Sequence, residues 1–188
     1  MSEKVKIQYG IFGGEGSGRR LRKALQQAGY VVTKKVAEAD IIMAHSAGCF
    51  WLPDASSGQK IMLIDPPYWP ERSIADRRRT RIRRNFQFST YAYPPLQWVT
   101  HNLWGVYYGV RDHKRTKRII RHAPTYNLEQ VVKNRPVLLV RNEHDDWLTP
   151  DLDAIQRTNP KLRVVHVPGD HDDIIYHPKR YVELLKTL

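Results

Sequence analysis

Cysteine is nearly missing from this chain. Cys49 stands alone, so no disulfide can form within it, and a reducing, cytoplasmic setting is the expectation. Long apolar runs are missing as well; none approaches the roughly 20 residues that span a bilayer. The first residues lack the basic-then-apolar pattern of a secretory signal. No Cys/His group has zinc-ligand spacing, so neither metal nor other cofactor is expected. Internal repeats and low-complexity tracts are absent too. Together these lacks argue against a disulfide scaffold, a membrane-spanning protein, a zinc module and a disordered chain.

Acidic residues are scarce beside basic ones: 19 Asp and Glu face 31 Lys and Arg, for a formal net charge of +12. The excess is local. Between Glu71 and His122 there are 13 Lys or Arg against 3 Asp or Glu, and the remainder of the chain is close to neutral. Hydrophobic residues make up 41% and charged residues 27%, an ordinary globular balance. The 188 residues suit one domain with one core.

Strand and helix signals alternate along most of the chain. Lys4 to Phe12 reads as a first strand, ending in Gly13-Gly14-Glu15-Gly16-Ser17-Gly18. Leu21, Ala24, Leu25 and Ala28 then recur at helical spacing, with Ser17 as a start cap and Gly29 as a stop. Tyr30 to Thr33 is a short strand. Ile41, Ile42 and Met43 form the continuous apolar run of a strand covered on both faces. A short helix stopped near Pro53 follows, then strands at Lys60 to Ile64, Pro136 to Val140 and Leu162 to Val167. Pro178 to Leu188 closes the chain as a helix. This alternation predicts an α/β fold, a three-layer α/β/α sandwich around a mostly parallel six-stranded sheet. Residues from about 68 to 128 break the pattern and read as an insertion after the fourth strand.

The chemistry-bearing residues follow strands. The third strand runs into Ala44-His45-Ser46-Ala47-Gly48, a variant of G-x-S-x-G in which a serine sits on a sharp strand-to-helix turn. Strand and helix nearly collide there, so small residues are needed two before and two after the serine. A serine hydroxyl needs a base to become a nucleophile. His171 follows the sixth strand, in Pro168-Gly169-Asp170-His171. Asp145 and Asp146 follow the fifth, and either can orient the histidine. The backbone N–H of Gly14, with that of Ala47, forms the expected oxyanion hole.

These motifs, in the order Ser, Asp, His, resemble the α/β-hydrolase superfamily over nearly the whole chain, residues 1–188 as one domain with about 68–128 as its cap. The resemblance implies a serine hydrolase that cleaves a carboxylic ester, thioester or amide through an acyl-enzyme. Ser46, Asp146 and His171 would form its triad. Asp146 is preferred because Asp146-Trp147-Leu148-Thr149-Pro150 has the family's acid-to-proline spacing; counting from Asn142 favours Asp145. The implied partner is a small-molecule substrate, including anionic ones.

Other readings attach to the same residues. The glycine loop after the first strand has the form of a dinucleotide phosphate cradle, but the second strand ends in Thr33-Lys34-Lys35 where that motif wants an acid. Cys49 reads as a packing residue, His45 as a structural neighbour of the nucleophile and His144 as a surface residue. The middle segment holds Arg77, Arg78, Arg79, Arg81, Arg83 and Arg84, then a charge-free aromatic stretch, then a second basic cluster. The preferred reading is an aromatic cap with its charge outside. An acidic membrane surface, or nucleic acid bound by a catalytically idle hydrolase fold, is the less favoured partner.

Overall fold

A computed structural model describes residues 2–10, 18–54, 58–67, 99, 103, 106–107, 110–111, 113–114, 117, 128–133, 135–145 and 152–188. Gly13, Gly14, Ser17, Asp146 and almost all of the expected cap lie outside the described residues.

Six strands form one parallel sheet: β1 (Lys4–Gln8), β2 (Val31–Thr33), β3 (Ile41–His45), β4 (Lys60–Ile64), β5 (Val137–Asn142) and β6 (Leu162–Val167). Their spatial order is β2-β1-β3-β4-β5-β6. Every pairing is parallel, with Met43 opposite Met62 and Met62 opposite Leu138 in the centre. The sheet is therefore parallel throughout, and the mostly parallel expectation holds in its strict form.

Successive strand residues point to opposite faces, and both faces are covered. Ile41, Met43, Met62, Ile64, Leu138 and Val140 pack on one side against α1 (Arg19–Gln27) and, after the short α4 (Asp173–Tyr176), a closing helix, α5 (Pro178–Leu185), through Leu21, Leu25, Tyr181 and Leu185. Ile42, Ala44, Ile61, Leu63 and Leu139 pack on the other. Their partners there are Leu128 and Val132 of α2 (Leu128–Val132), Ile155 of α3 (Leu152–Thr158), and Cys49 and Leu52. That is the three-layer sandwich. Burying each Leu or Ile side chain stabilises it by about 1.5–3 kcal/mol.

The first strand is shorter than its apolar run suggests. It ends at Gln8 rather than Phe12 because its partners end: Lys6 is opposite Thr33, the last residue of β2, and Gln8 is opposite Ala44 near the end of β3. Past Gln8 only His45, the last residue of β3, remains alongside, and nothing of β2. Helix α1 starts at Arg19, next to Gly18, and Gly29 follows its end with φ +89°. The region after β3 is a 3-10 helix over Ser46–Asp54, which includes the Pro53 at which a helix was expected to stop. Among the described residues no helix is long and apolar enough to cross a membrane.

Candidate active site

The turn after β3 carries the first functional side chain. Ser46 has φ 54°, a left-handed conformation that costs a non-glycine residue of order 1–3 kcal/mol. The turn leaves no space around it. A Cβ on Gly48 would lie 2.2 Å from the Gln8 carbonyl oxygen, so the small-residue requirement two places after the serine is steric. The chain leaving β1 presses in from the other side. A Cβ on Gly10 would lie 2.7 Å from Ser46 Cβ, 2.9 Å from its Oγ and 3.2 Å from the Ala47 nitrogen. Sequence reasoning fixed on Gly14 and overlooked Gly10. Its signal was the Tyr9-Gly10 pair just past the last paired strand residue.

His171 arrives from the turn after β6. Its Nε2 lies 2.7 Å from Ser46 Oγ and its Nδ1 lies 3.1 Å from Asp145 Oδ1. These partners define the neutral tautomer: Nδ1–H donates to Asp145, and the Ser46 hydroxyl donates to Nε2. Both His171 and Asp145 are buried, with Asp145 at 0% side-chain exposure. The two loops are joined by backbone bonds, Glu143 N–H to the Val167 carbonyl and His144 N–H to the Gly169 carbonyl. Asp145 N–H closes a turn on the Asn142 carbonyl. The structure thus brings Ser46, His171 and Asp145 together. The preferred Asp146 lies outside the described residues, as does Gly14. Ala47 is buried directly after Ser46.

His45, read as a structural neighbour, is a buried clamp on the histidine loop. Its Nε2–H donates to the His171 carbonyl at 2.7 Å, and the two rings have centroids 5.0 Å apart. Burial, with the nearby His171 second, pushes its pKa down to about 4, so His45 is neutral at physiological pH. Burial also raises the Cys49 thiol pKa, with the charge of Asp65 second. That keeps Cys49 a packing residue rather than a nucleophile.

Sequence reasoning missed a polar network behind the site. Asp65, just past β4, is fully buried and has φ 45°. Its Oδ1 accepts from Asn142 N–H at 2.8 Å and its Oδ2 accepts from the Asn142 side-chain amide. Burial raises the Asp65 pKa, and the charge of Asp145 adds to the effect. The Tyr181 hydroxyl lies 2.6 Å from Asn142 Oδ1 and 3.0 Å from Asp173 Oδ2, sharing one proton between two acceptors. Asp173 accepts from Arg180 at 2.9 Å and also contacts His177 Nδ1 at 2.7 Å. The network ties the end of β5, where the Asp145 turn begins, to helix α5. His45, Asp65 and His171 also have ligand-type atoms within 4.8 Å of one another. Those groups already bond to the His171 carbonyl, to Asn142, and to Ser46 and Asp145 respectively, which leaves them poorly disposed to take up an ion.

The all-parallel sheet, its strand order and the strained serine turn define the α/β-hydrolase fold, and this chain has that fold. Solved structures similar to it bear that out. Over 100% of this chain and 91% of theirs, it is 12% identical to the enol-lactonase from Burkholderia xenovorans LB400, with a TM-score of 0.72. A carboxylesterase structure from the thaumarchaeon Nitrososphaera gargenis gives a TM-score of 0.66 at 12% identity, covering 99% and 89%. The thioesterase domain from the curacin biosynthetic pathway gives 0.62 at 13% identity, covering 98% and 91%. No family model matches the chain, and no curated protein matches it.

Proposed function

We propose that this protein is a serine hydrolase acting on a carboxylic ester, thioester or amide, with Ser46 as nucleophile, His171 as base and Asp145 as the acid that orients it. The carrying observation is the relay from Ser46 Oγ to His171 Nε2 at 2.7 Å and from His171 Nδ1 to Asp145 at 3.1 Å, on a serine held at φ 54°. Ser46 attacks the carbonyl carbon while His171 takes its proton, and the C=O electron pair moves to oxygen. The tetrahedral intermediate collapses as His171 returns the proton to the leaving group. Water, deprotonated by the same histidine, then attacks the acyl carbon, and His171 returns that proton to Ser46 Oγ as the C–Oγ bond breaks and the carboxylic acid leaves. The Ala47 N–H is one oxyanion donor and the Gly14 N–H is assigned as the second; one such donor contributes roughly 3 kcal/mol. A side chain in place of Gly10 would crowd both Ser46 Oγ and the Ala47 nitrogen. Residues from about 68 to 128, between β4 and α2, supply the cap.

The similar structures named for an enol-lactonase, a carboxylesterase and a thioesterase support acyl transfer to water and leave the acyl group open. The test is labelling of the purified protein by a fluorophosphonate probe. Wild type is expected to label, Ser46→Ala not at all and His171→Ala weakly. A folded wild-type protein that does not label would overturn the hydrolase reading in favour of an idle fold that binds a polyanion.

A further inference from the structure

Five of the six large apolar side chains exposed among the described residues lie in one short stretch: Val99 at 42%, Leu103 at 65%, Val106 at 67%, Tyr107 at 47% and Val110 at 73%. All five are helical. Numbered along a single α-helix at about 100° per residue, these positions fall within a sector of about 100°. A bond from Arg111 to the Tyr107 hydroxyl at 3.0 Å has the reach expected one turn apart. The same spacing carries Lys114 and Lys117 into that sector and sets Arg111 and His113 at its borders, all exposed. The face is aliphatic along its first turns and cationic along the next, and no acidic residue is among its described members.

We propose that this face docks on an acidic phospholipid surface, with Val99, Leu103, Val106 and Val110 entering the headgroup–acyl boundary and Arg111, Lys114 and Lys117 meeting lipid phosphates. The argument is complementarity of both kinds. Exposed aliphatic groups clustered at this density mark a contact surface. An acidic bilayer offers apolar depth for them and negative charge for the cations, which adjoin them on one face. Nucleic acid would engage the cations but has little use for three valines and a leucine. A second copy of the chain would bring the same cations and, among the described residues of the face, no acid to meet them. The docking is independent of the proposed hydrolysis.

Co-sedimentation with vesicles tests it, using phosphatidylcholine alone and phosphatidylcholine with phosphatidylglycerol. Wild type and Ser46→Ala are expected to bind the acidic vesicles equally and the neutral ones weakly. Leu103→Glu/Val106→Glu, folded by circular dichroism because both positions are exposed, is expected to lose binding. Lys114→Glu/Lys117→Glu is expected to weaken it by at least about fivefold per reversed charge, and added salt to weaken the wild type. Equal binding to both vesicles, or none to either, would overturn the proposal. So would self-association that Leu103→Glu/Val106→Glu abolishes, or retention on duplex DNA that this variant keeps and the lysine variant loses without any vesicle binding.

Discussion

At the scale of single residues, the acid beside His171 is decided by one position in sequence. Asp145 Oδ1 stands 3.1 Å from His171 Nδ1 at the end of a turn begun by Asn142. Asp145→Asn is expected to lower kcat by about 10³–10⁴-fold, because an amide no longer fixes the imidazole tautomer. Asp146→Asn is expected to stay within a few-fold. Steady-state kinetics on an ester substrate compares them, and the reverse ranking would return the role to Asp146. His45 makes a second residue-scale prediction. Its pKa falls from 6.5 to about 4 on folding, so the unfolded chain binds the extra proton between those values. The sign follows: stability is intact above pH 6.5 and declines as pH falls toward 4. At 1.36 kcal/mol per pKa unit, the loss amounts to about 3 kcal/mol below pH 4. Urea melts at pH 7 and pH 5 are expected to differ by about 2 kcal/mol more for wild type than for His45→Gln, whose amide keeps a donor for the His171 carbonyl without titrating in this range. Equal differences would remove His45 as the cause.

At the scale of elements, the closing helix does more than cover the sheet. Tyr181 is buried in the core cluster, and its hydroxyl reaches Asn142 at the tip of β5, one turn from Asp145. Burial, with Asp173 next, pushes its pKa well up, so the phenol stays protonated and able to donate. Tyr181→Phe keeps the packing but leaves Asn142 Oδ1 without this donor. A stability loss of about 1–3 kcal/mol is expected, with fluorophosphonate labelling retained under native conditions. Chemical denaturation beside labelling checks it; an unchanged midpoint would show that Asn142 finds another donor. The strand elements were legible beforehand because a strand covered on both faces reads as an apolar run, as Ile41 to Met43 does. The end of β1 was not, since Tyr9 to Phe12 carries the same residue types. Where β1 stops depends on where β2 and β3 stop pairing with it.

At the scale of the whole molecule, the charge of +12 sits mainly in one segment of the chain. A positive field of that size draws anionic substrates toward the protein and is screened beyond about 10 Å at 0.1 M salt. With two esters alike except for a carboxylate on one acyl chain, kcat/KM for the anionic ester is expected to fall severalfold between low and high salt, while the neutral ester stays flat. Parallel salt responses would mean that the charge serves something other than substrate capture.

By itself the sequence determined the parallel sandwich, because hydrophobic periodicity is a local property that core burial reads directly. It also marked the turns from which Ser46 and His171 meet, since Ser46 directly follows one strand, His171 lies four residues past another, and an open sheet gathers such ends along one edge. Only the tertiary structure decided that Gly10 lies against Ser46, that Asp145 bonds His171, and that His45 holds the His171 carbonyl while Asp65 and Tyr181 hold Asn142. Each of these joins residues far apart in the chain. Such contacts are set by angstrom-scale packing of loops on a finished sheet, which residue type and spacing do not encode.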